Sequence, residues 1–410
     1  MREFRVRAWL RDTAGGLSAT YWYLWTGLLI NKVGGFAILF LSLYLTSQRG
    51  AGTAQAGLIV GTYGIGGLAG TLAGGVLTDR WGRRRTLLAS HFGTVAALVA
   101  LALSSELVLI AVLCTLLGVA QSMAGPAFVA AIIDVTPAEN RSRAFNLQFW
   151  ALNLGLAGAS LLAGLLAQWS YLGLFLIDAT CTLVTGLLIA WKVPETLRRP
   201  VTITRAGFGT VLKDRIFLVF VALTLIQALI YTQSQTIVPL AMHADGLSPS
   251  AYGSVVALGG ALIVLGQLFV PRLIDGRRKH RVLALALLVD GLGFGLLVVA
   301  DHLAVYLLAA VIWTVGSMLA APPNAEINSE LAPLALRGRY QAVFFLTFPA
   351  ASFLAPALGG AGLEFLGDAH WLVVGALGAA AAGLHLWAGP PRERRAAAIR
   401  ADTSVTADLR

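Results

Sequence analysis

The sequence predicts an all-α integral membrane protein: twelve transmembrane helices in two pseudo-symmetric six-helix bundles, with both termini cytoplasmic. Three observations carry this prediction. Of 410 residues, 57% are hydrophobic and only 12% are charged, whereas a soluble domain is nearer half apolar and a quarter charged. The apolar residues fall into runs long enough to span a bilayer. The two halves of the chain also repeat at a fixed offset of 196 residues.

A span needs about 20 apolar residues. Twelve runs satisfy this, at 19–46, 55–77, 86–104, 107–133, 145–168, 171–192, 216–242, 251–274, 281–300, 303–325, 341–362 and 370–389. The longest polar break, Pro194 to Arg215, divides them six and six. The expected domains are therefore a bundle over 1–193, a cytoplasmic linker over 194–215, a second bundle over 216–390 and a cytoplasmic tail over 391–410. Orientation follows from the basic residues of the loops. With the N-terminus inside, 28 of the 30 Lys and Arg residues fall in cytoplasmic segments, leaving Arg49 outside and Lys32 within the membrane. Spread in this way, the net charge of +10 is a topology signal and argues against nucleic acid as a partner.

The repeat pairs Asp79 with Asp275, Asp134 with Glu330, Pro137 with Pro333, Arg141 with Arg337, Arg143 with Arg339, Gly164 with Gly360 and Asn31 with Gln227, all 196 apart. Equivalent points are separated by an even number of spans, so the halves are parallel repeats. Transporters of that design hold the solute near the midplane between their halves and rock one against the other. The offset also isolates four intramembrane charges with no charged counterpart. These are Lys32 opposite Ala228, Asp178 opposite Val374, Asp290 opposite Thr94 and Glu326 opposite Ala130. Scaffolding alone does not require them, and they are the proton-coupling candidates.

Polar residues within the spans mark a candidate solute cavity. Helix 7 carries Gln227, Tyr231 and Gln235 at i, i+4 and i+8, ahead of Pro239. Asn31 and Lys32 lie in helix 1, Gln121 in helix 4, Gln148 and Asn153 in helix 5, Trp313 and Asn324 in helix 10, and Phe344 and Phe348 in helix 11. Amides and aromatics of this kind suit a bulky, partly apolar solute; each amide also serves equally as an interhelical packing bond. Gly66, Gly70 and Gly74 recur every four residues and let helix backbones touch. Lys32 lies about 16–18 Å along the helix from its outer end, too deep for its stem to reach water. It must face either a polar solute or a carboxylate such as Asp178.

Other classes find no support. Cys114 and Cys181 sit inside apolar runs and read as core thiols, and no metalloprotease, CxxC or phosphate-loop motif occurs. No enzyme activity, metal or cofactor is expected, and transport must draw on ion gradients. Met1 to Gly16 is basic but lacks an apolar core, so it does not read as a cleavable signal. The Ala- and Arg-rich composition points to a bacterial plasma membrane. The expected partners are a small-molecule solute, protons and membrane lipids, with the protein acting as a monomer.

The stretch "GVLTDRWGRRRTL", Gly75 to Leu87, resembles the signature loop between the second and third helices of the major facilitator superfamily. "DVTPAENRSRAF" (Asp134 to Phe145) and "SELAPLALRGRY" (Ser329 to Tyr340) resemble its loops after helices 4 and 10. The resemblance implies a conformational latch of Gly75, Asp79, Arg80, Gly82, Arg83, Arg84, Asp134, Arg141 and Arg143, with Asp275, Arg337 and Arg339 in the second half. In it Gly82 makes the tight turn, Arg83 to Arg85 anchor to anionic lipid or acidic groups, and Asp134 pairs with Arg141 or Arg143. Within the superfamily the chain resembles the twelve-helix drug:proton antiporter branch, with two departures. Cys114 stands where that branch has a helix 4 arginine, and Ala159 and Ser160 stand where it has a Gly-Pro pair. The resemblance implies proton-driven export of amphiphilic small molecules; the alternative is an anionic or zwitterionic metabolite or lipid recognised by Lys32.

Overall fold

The computed structural model describes residues 15–35, 37–167, 169–197, 209–266, 269–333 and 336–408. All regular secondary structure among them is helical. The first half comprises α1 (Ala19–Val33), α2 (Ala37–Arg49), α3 (Thr53–Arg80), α4 (Arg83–Leu103), α5 (Leu107–Val135), α6 (Arg141–Ala167) and α7 (Tyr171–Lys192). The second comprises α8 (Gly209–Lys213), α9 (Arg215–Thr236), α10 (Val238–Ala244), α11 (Pro249–Gly266), α12 (Val270–Ile274), α13 (Lys279–Gly295), α14 (Leu303–Leu331), α15 (Arg337–Phe345), α16 (Thr347–Leu366) and α17 (Ala369–Asp408).

Eleven candidate spans among the described residues are long and apolar enough to cross a membrane. The remaining expected span, 145–168, coincides with α6, a helix of 27 residues. Expected spans 1, 7 and 11 are each broken at described residues. Helix 1 stops at Val33 and restarts at Ala37 across Gly34 and Gly35. Helix 7 breaks at Ile237, immediately ahead of the turn that carries Pro239. Proline lacks the N–H that would continue the ladder. Helix 11 breaks at Leu346. Helix starts are fixed locally: Ser18, Ser170 and Asp214 cap α1, α7 and α9, accepting from Tyr21 N (3.2 Å), Gly173 N (3.0 Å) and Phe217 N (3.1 Å).

The chain forms two compact units, one of residues 1–37 and 66–203, the other of 38–65 and 204–410. These units cut across the sequence division, because α2 and the first part of α3 belong with the second half. The reason is visible along α3. A Cβ at Gly66, Gly70 or Gly74 would strike the backbone of Thr115, Val119 or Met123 in α5, within the first unit. A Cβ at Gly57, Gly61 or Gly64 would strike the backbone of α16 at Pro356 or Phe353, within the second. Lipid gives helices no hydrophobic reason to associate, so backbone contact through small residues carries the packing.

The core of the first unit gathers Tyr21, Leu24, Leu87, Ala127, Phe128, Ile132 and Ile189 from α1, α4, α5 and α7. Tyr21 seats its hydroxyl on Ala144 O at 2.8 Å. In the second unit α13, α14 and α17 close on one another, with Gly291, Gly375 and Gly378 in backbone contact. Of the tail expected at 391–410, residues 391–408 continue α17 through Pro390 and Pro391. Its side chains dock back: Arg392 is buried over the Phe220 ring, His280 meets Glu393 at 2.6 Å, and Arg395 reaches Asp214 at 3.4 Å.

Candidate functional site

The break in helix 1 gathers polar groups within the apolar part of the first unit. A Cβ at Gly34 would overlap Cys181 Cβ and come 2.6 Å from its Sγ, so α1 lies with bare backbone against α7. On one side of the break, Asn31 Nδ2 donates to Thr182 Oγ1 at 3.0 Å. On the other, Ala37 N–H donates to Asp178 Oδ2 at 3.1 Å, and Thr182 Oγ1 donates to Asp178 Oδ1 at 3.5 Å. Asp178 is 2% exposed. Lys32 precedes the break. Its backbone and Cβ lie against Gly155 of α6, where no side chain would fit. Its own side chain is exposed. Among the described residues no ion pair engages Lys32. It feels the charge of Asp178.

The other cavity candidates divide into an open group and a packed group. In the first unit Gln121 and Gln148 are half-buried, and Asn153 spends its amide on Phe149 O at 2.8 Å, one turn back in the same helix. In the second unit Asn324 Nδ2 donates to Gln227 Oε1 at 2.6 Å, joining α14 to α9, while Asn324 Oδ1 is buried with no partner among the described residues. Tyr231 and Gln235 are half-buried along the same stripe of α9. Phe344, Phe345 and Phe348 form an edge-to-face cluster around the break in helix 11, with Phe344 stacked on Phe220 at 5.8 Å. Phe345 and Phe348 are exposed. Trp313, expected in the cavity, is buried instead: it stacks on Phe294 at 4.9 Å, and its backbone fits against Gly293.

Of the remaining charged candidates, Asp290 is 1% exposed and accepts from Ser317 Oγ at 3.2 Å; its Oδ2 is buried with no partner among the described residues. Glu326, expected within the membrane, lies near the C-terminal end of α14 and pairs with Lys279 at 2.7 Å. Lys279 also holds Glu330 at 2.9 Å.

The latch residues are built around Arg83. Its Nε meets Asp134 at 2.9 Å, its Nη1 donates to Thr78 O at 3.0 Å, and Asp79 lies 3.7 Å away. The expected pairing of Asp134 with Arg141 or Arg143 does not form. Arg143 donates to Gly15 O at 2.7 Å, and Arg141 is exposed. Arg84 donates to Ala190 O at 2.5 Å, at the end of α7. Gly82 makes the turn with φ +114°, a conformation open to glycine alone among ordinary residues. Where its Cβ would stand, the carboxylate of Glu195 accepts from Arg83 N at 2.9 Å and from Leu197 N at 3.1 Å. Thr196 adds a bond to Asp134 at 3.0 Å. A Cβ at Gly75 would meet nothing, Arg80 closes α3, and Asp275 directly follows α12. The side chain of Arg337 lies outside the described residues, and Arg339 is half-buried.

Sequence reasoning missed the roles of Thr182, Glu195, Thr196 and Lys279. Lys279 was within reach, since it stands 196 residues after Arg83, as Glu330 does after Asp134. The two halves thus repeat one cation–carboxylate pair. Also missed was the buried bond from His370 Nε2 to Gln233 Oε1 at 2.7 Å, which ties α17 to α9.

Apolar spans, broken helices and ionisable groups at the breaks define a multi-pass membrane transporter. The chain belongs to the Major Facilitator Superfamily, whose family model matches residues 24–356 and again 236–409. It is 26% identical over 350 residues to an MFS-type transporter, YttB, of Bacillus subtilis (strain 168), covering 83% of this chain and 87% of that protein. It is 25% identical over 355 residues to a Na(+), Li(+), K(+)/H(+) antiporter of Planococcus maritimus, covering 77% and 83%. It is 24% identical over 362 residues to the multidrug resistance protein MdtH of Klebsiella pneumoniae (strain 342), covering 84% and 88%. A crystal structure of a peptide transporter POT in complex with sulfate has the same fold, with TM-score 0.79 at 16% identity over 94% of this chain and 99% of that one. Members of this superfamily move small-molecule solutes across membranes; the chain is not an enzyme.

Proposed function

We propose that the protein is a proton-coupled exporter of amphiphilic small molecules, working by alternating access in a bacterial plasma membrane. In this reading α6 completes twelve spans, both termini are cytoplasmic, and 1–193 and 216–390 are the two functional bundles acting within one monomer. The partners are solute, protons and lipid, and neither nucleic acid nor a cofactor takes part. The observation that carries the reading is the placement of two carboxyls, Asp178 and Asp290, at 2% and 1% exposure inside apolar spans. Burying an ionisable group at that depth is costly, and such groups mark ion or proton pathways. Amides and exposed phenyl rings, Gln227, Gln235, Phe345 and Phe348, suit a partly apolar solute. The likeness to MdtH and to a cation/proton antiporter supports the same class.

The test uses proteoliposomes with an internal pH dye and ethidium as the solute probe. Ethidium movement against its gradient, driven by an imposed pH difference and stopped by a protonophore, supports the proposal. Equal movement after the gradient is collapsed rejects it, and a response to Na⁺ or K⁺ alone assigns a different coupling ion.

Lys32 favours a second reading. Its exposed ammonium, engaged by no ion pair among the described residues, would attract an anionic or zwitterionic solute. Thermal stabilisation by carboxylates that disappears in Lys32→Gln supports that reading, and stabilisation by amphiphilic cations in both proteins opposes it.

A further inference from the structure

Helix 1 is anchored to α7 on both sides of its break, and both anchors end on one carboxyl group. The inner anchor runs from Asn31 through the Thr182 hydroxyl to Asp178 Oδ1. The outer anchor is the N–H of Ala37, the first residue of α2, donating to Asp178 Oδ2. Between them Gly34 rests on Cys181 so closely that no side chain fits. An amide in this place could accept only one of the two bonds, having a single acceptor oxygen. An ionised carboxylate does more. It complements the positive end of the α2 helix, and its hydrogen bonds are about twice as strong as neutral ones. Taking up a proton removes both advantages.

We propose that Asp178 is the coupling site, and that its protonation sets the geometry of the helix 1 break. Ionised, it holds α1 and Ala37 against α7; protonated, it releases the N–H of Ala37. The only chemical step is transfer of one proton onto a carboxylate oxygen. Among the described residues, Lys32 of α1 and Cys181 of α7 itself feel its charge, while His91 of α4, packed on Gly186, feels that of Lys32. The described side chains of the part of α6 within the apolar region supply no charge. When Asp178 gains its proton, the exposed Lys32 loses the nearest compensating charge, so proton binding also changes the field where a solute would meet the ammonium. The inference rests on the proton-coupled reading above.

The test is hydrogen exchange on the full chain in lipid nanodiscs, following the peptide that spans 33–40 between pH 5 and pH 8.5, corrected for intrinsic exchange. Protection that falls on acidification along one titration supports the inference. Asp178→Asn should show the acidic level at every pH. The same titration persisting in Asp178→Asn overturns it. Thr182→Val keeps the carboxylate but removes a donor to its ionised form, so the midpoint should move to higher pH; an unmoved midpoint counts against the relay. In proteoliposomes Asp178→Asn should lose ΔpH-driven ethidium movement by at least about tenfold, the equivalent of one pKa unit of coupling. If Asp178→Asn remains coupled like the wild type, only this inference fails. If the wild type shows no ΔpH-driven movement, the underlying reading fails.

Discussion

Gly34→Ala is the most informative single perturbation of the helix 1 break. The added Cβ would overlap Cys181 Cβ and stand 2.6 Å from its Sγ. An ordinary contact is about 3.5–4.0 Å, so α1 must retreat from α7 by about 1 Å. The anchors at 3.0 Å and 3.1 Å would then lengthen beyond the range of a good hydrogen bond. Overpacking costs about 1–3 kcal/mol and each lost bond about 1 kcal/mol. Because relaxation trades one against the other, the expected loss is about 3 kcal/mol, roughly a hundredfold in the folding equilibrium. Unfolding in mixed micelles by increasing SDS fraction measures it. Cys181→Gly removes both opposing atoms, so the double variant should regain most of the loss relative to Cys181→Gly alone. A Gly34→Ala protein within about 0.5 kcal/mol of wild type, or a double variant with no recovery, would refute the close packing of α1 on α7.

The remaining predictions concern the two ion clusters and the amide pair. Arg83→Ala should cost about 2 kcal/mol, because Arg83 is 11% exposed and serves Asp134 and Thr78 O together. Lys279→Ala should cost under about 1 kcal/mol, since its partner Glu326 is 57% exposed; the same SDS titration compares them, and equal losses would contradict the difference in burial. Gly82→Ala should cost about 1–3 kcal/mol through its positive φ and the displacement of Glu195; Glu195→Ala in the same chain should relieve only the second part. Asn324→Leu should leave Gln227 without its donor, lowering the melting temperature and altering ethidium affinity; unchanged affinity with reduced stability would assign the pair to packing alone.

The spans and the repeat were legible because both rest on strong chemistry: apolar runs must be long enough for the bilayer, and loop cations must stay in water. The breaks were not. Gly34 and Gly35 stand in plain view, yet the run from 19 to 46 is apolar on both sides of them, so hydropathy reads one helix. What divides it is a carboxylate contributed by α7, a tertiary fact. The same limit applies to Asp134. Its partner was sought among the arginines that follow it in its own loop, but Arg83 arrives from the preceding loop with a fork already held at Thr78 O. Glu195 looked like ordinary linker polarity, and only the absence of a side chain at Gly82 gives it a place. Trp313 was read as cavity lining because aromatic residues serve both lining and core. Gly293, across from it, decides for core.

The central claim, that solute movement is tied to protons, is tested most directly by a reversal measurement. Proteoliposomes with the membrane potential clamped at zero are given a fixed pH difference and a graded ethidium gradient, and the gradient at which net flux stops is recorded. The account predicts that this null point shifts in proportion to the pH difference, with a slope equal to the number of protons exchanged per solute. A flux that stops only when ethidium is equal on both sides, whatever the pH difference, would contradict it.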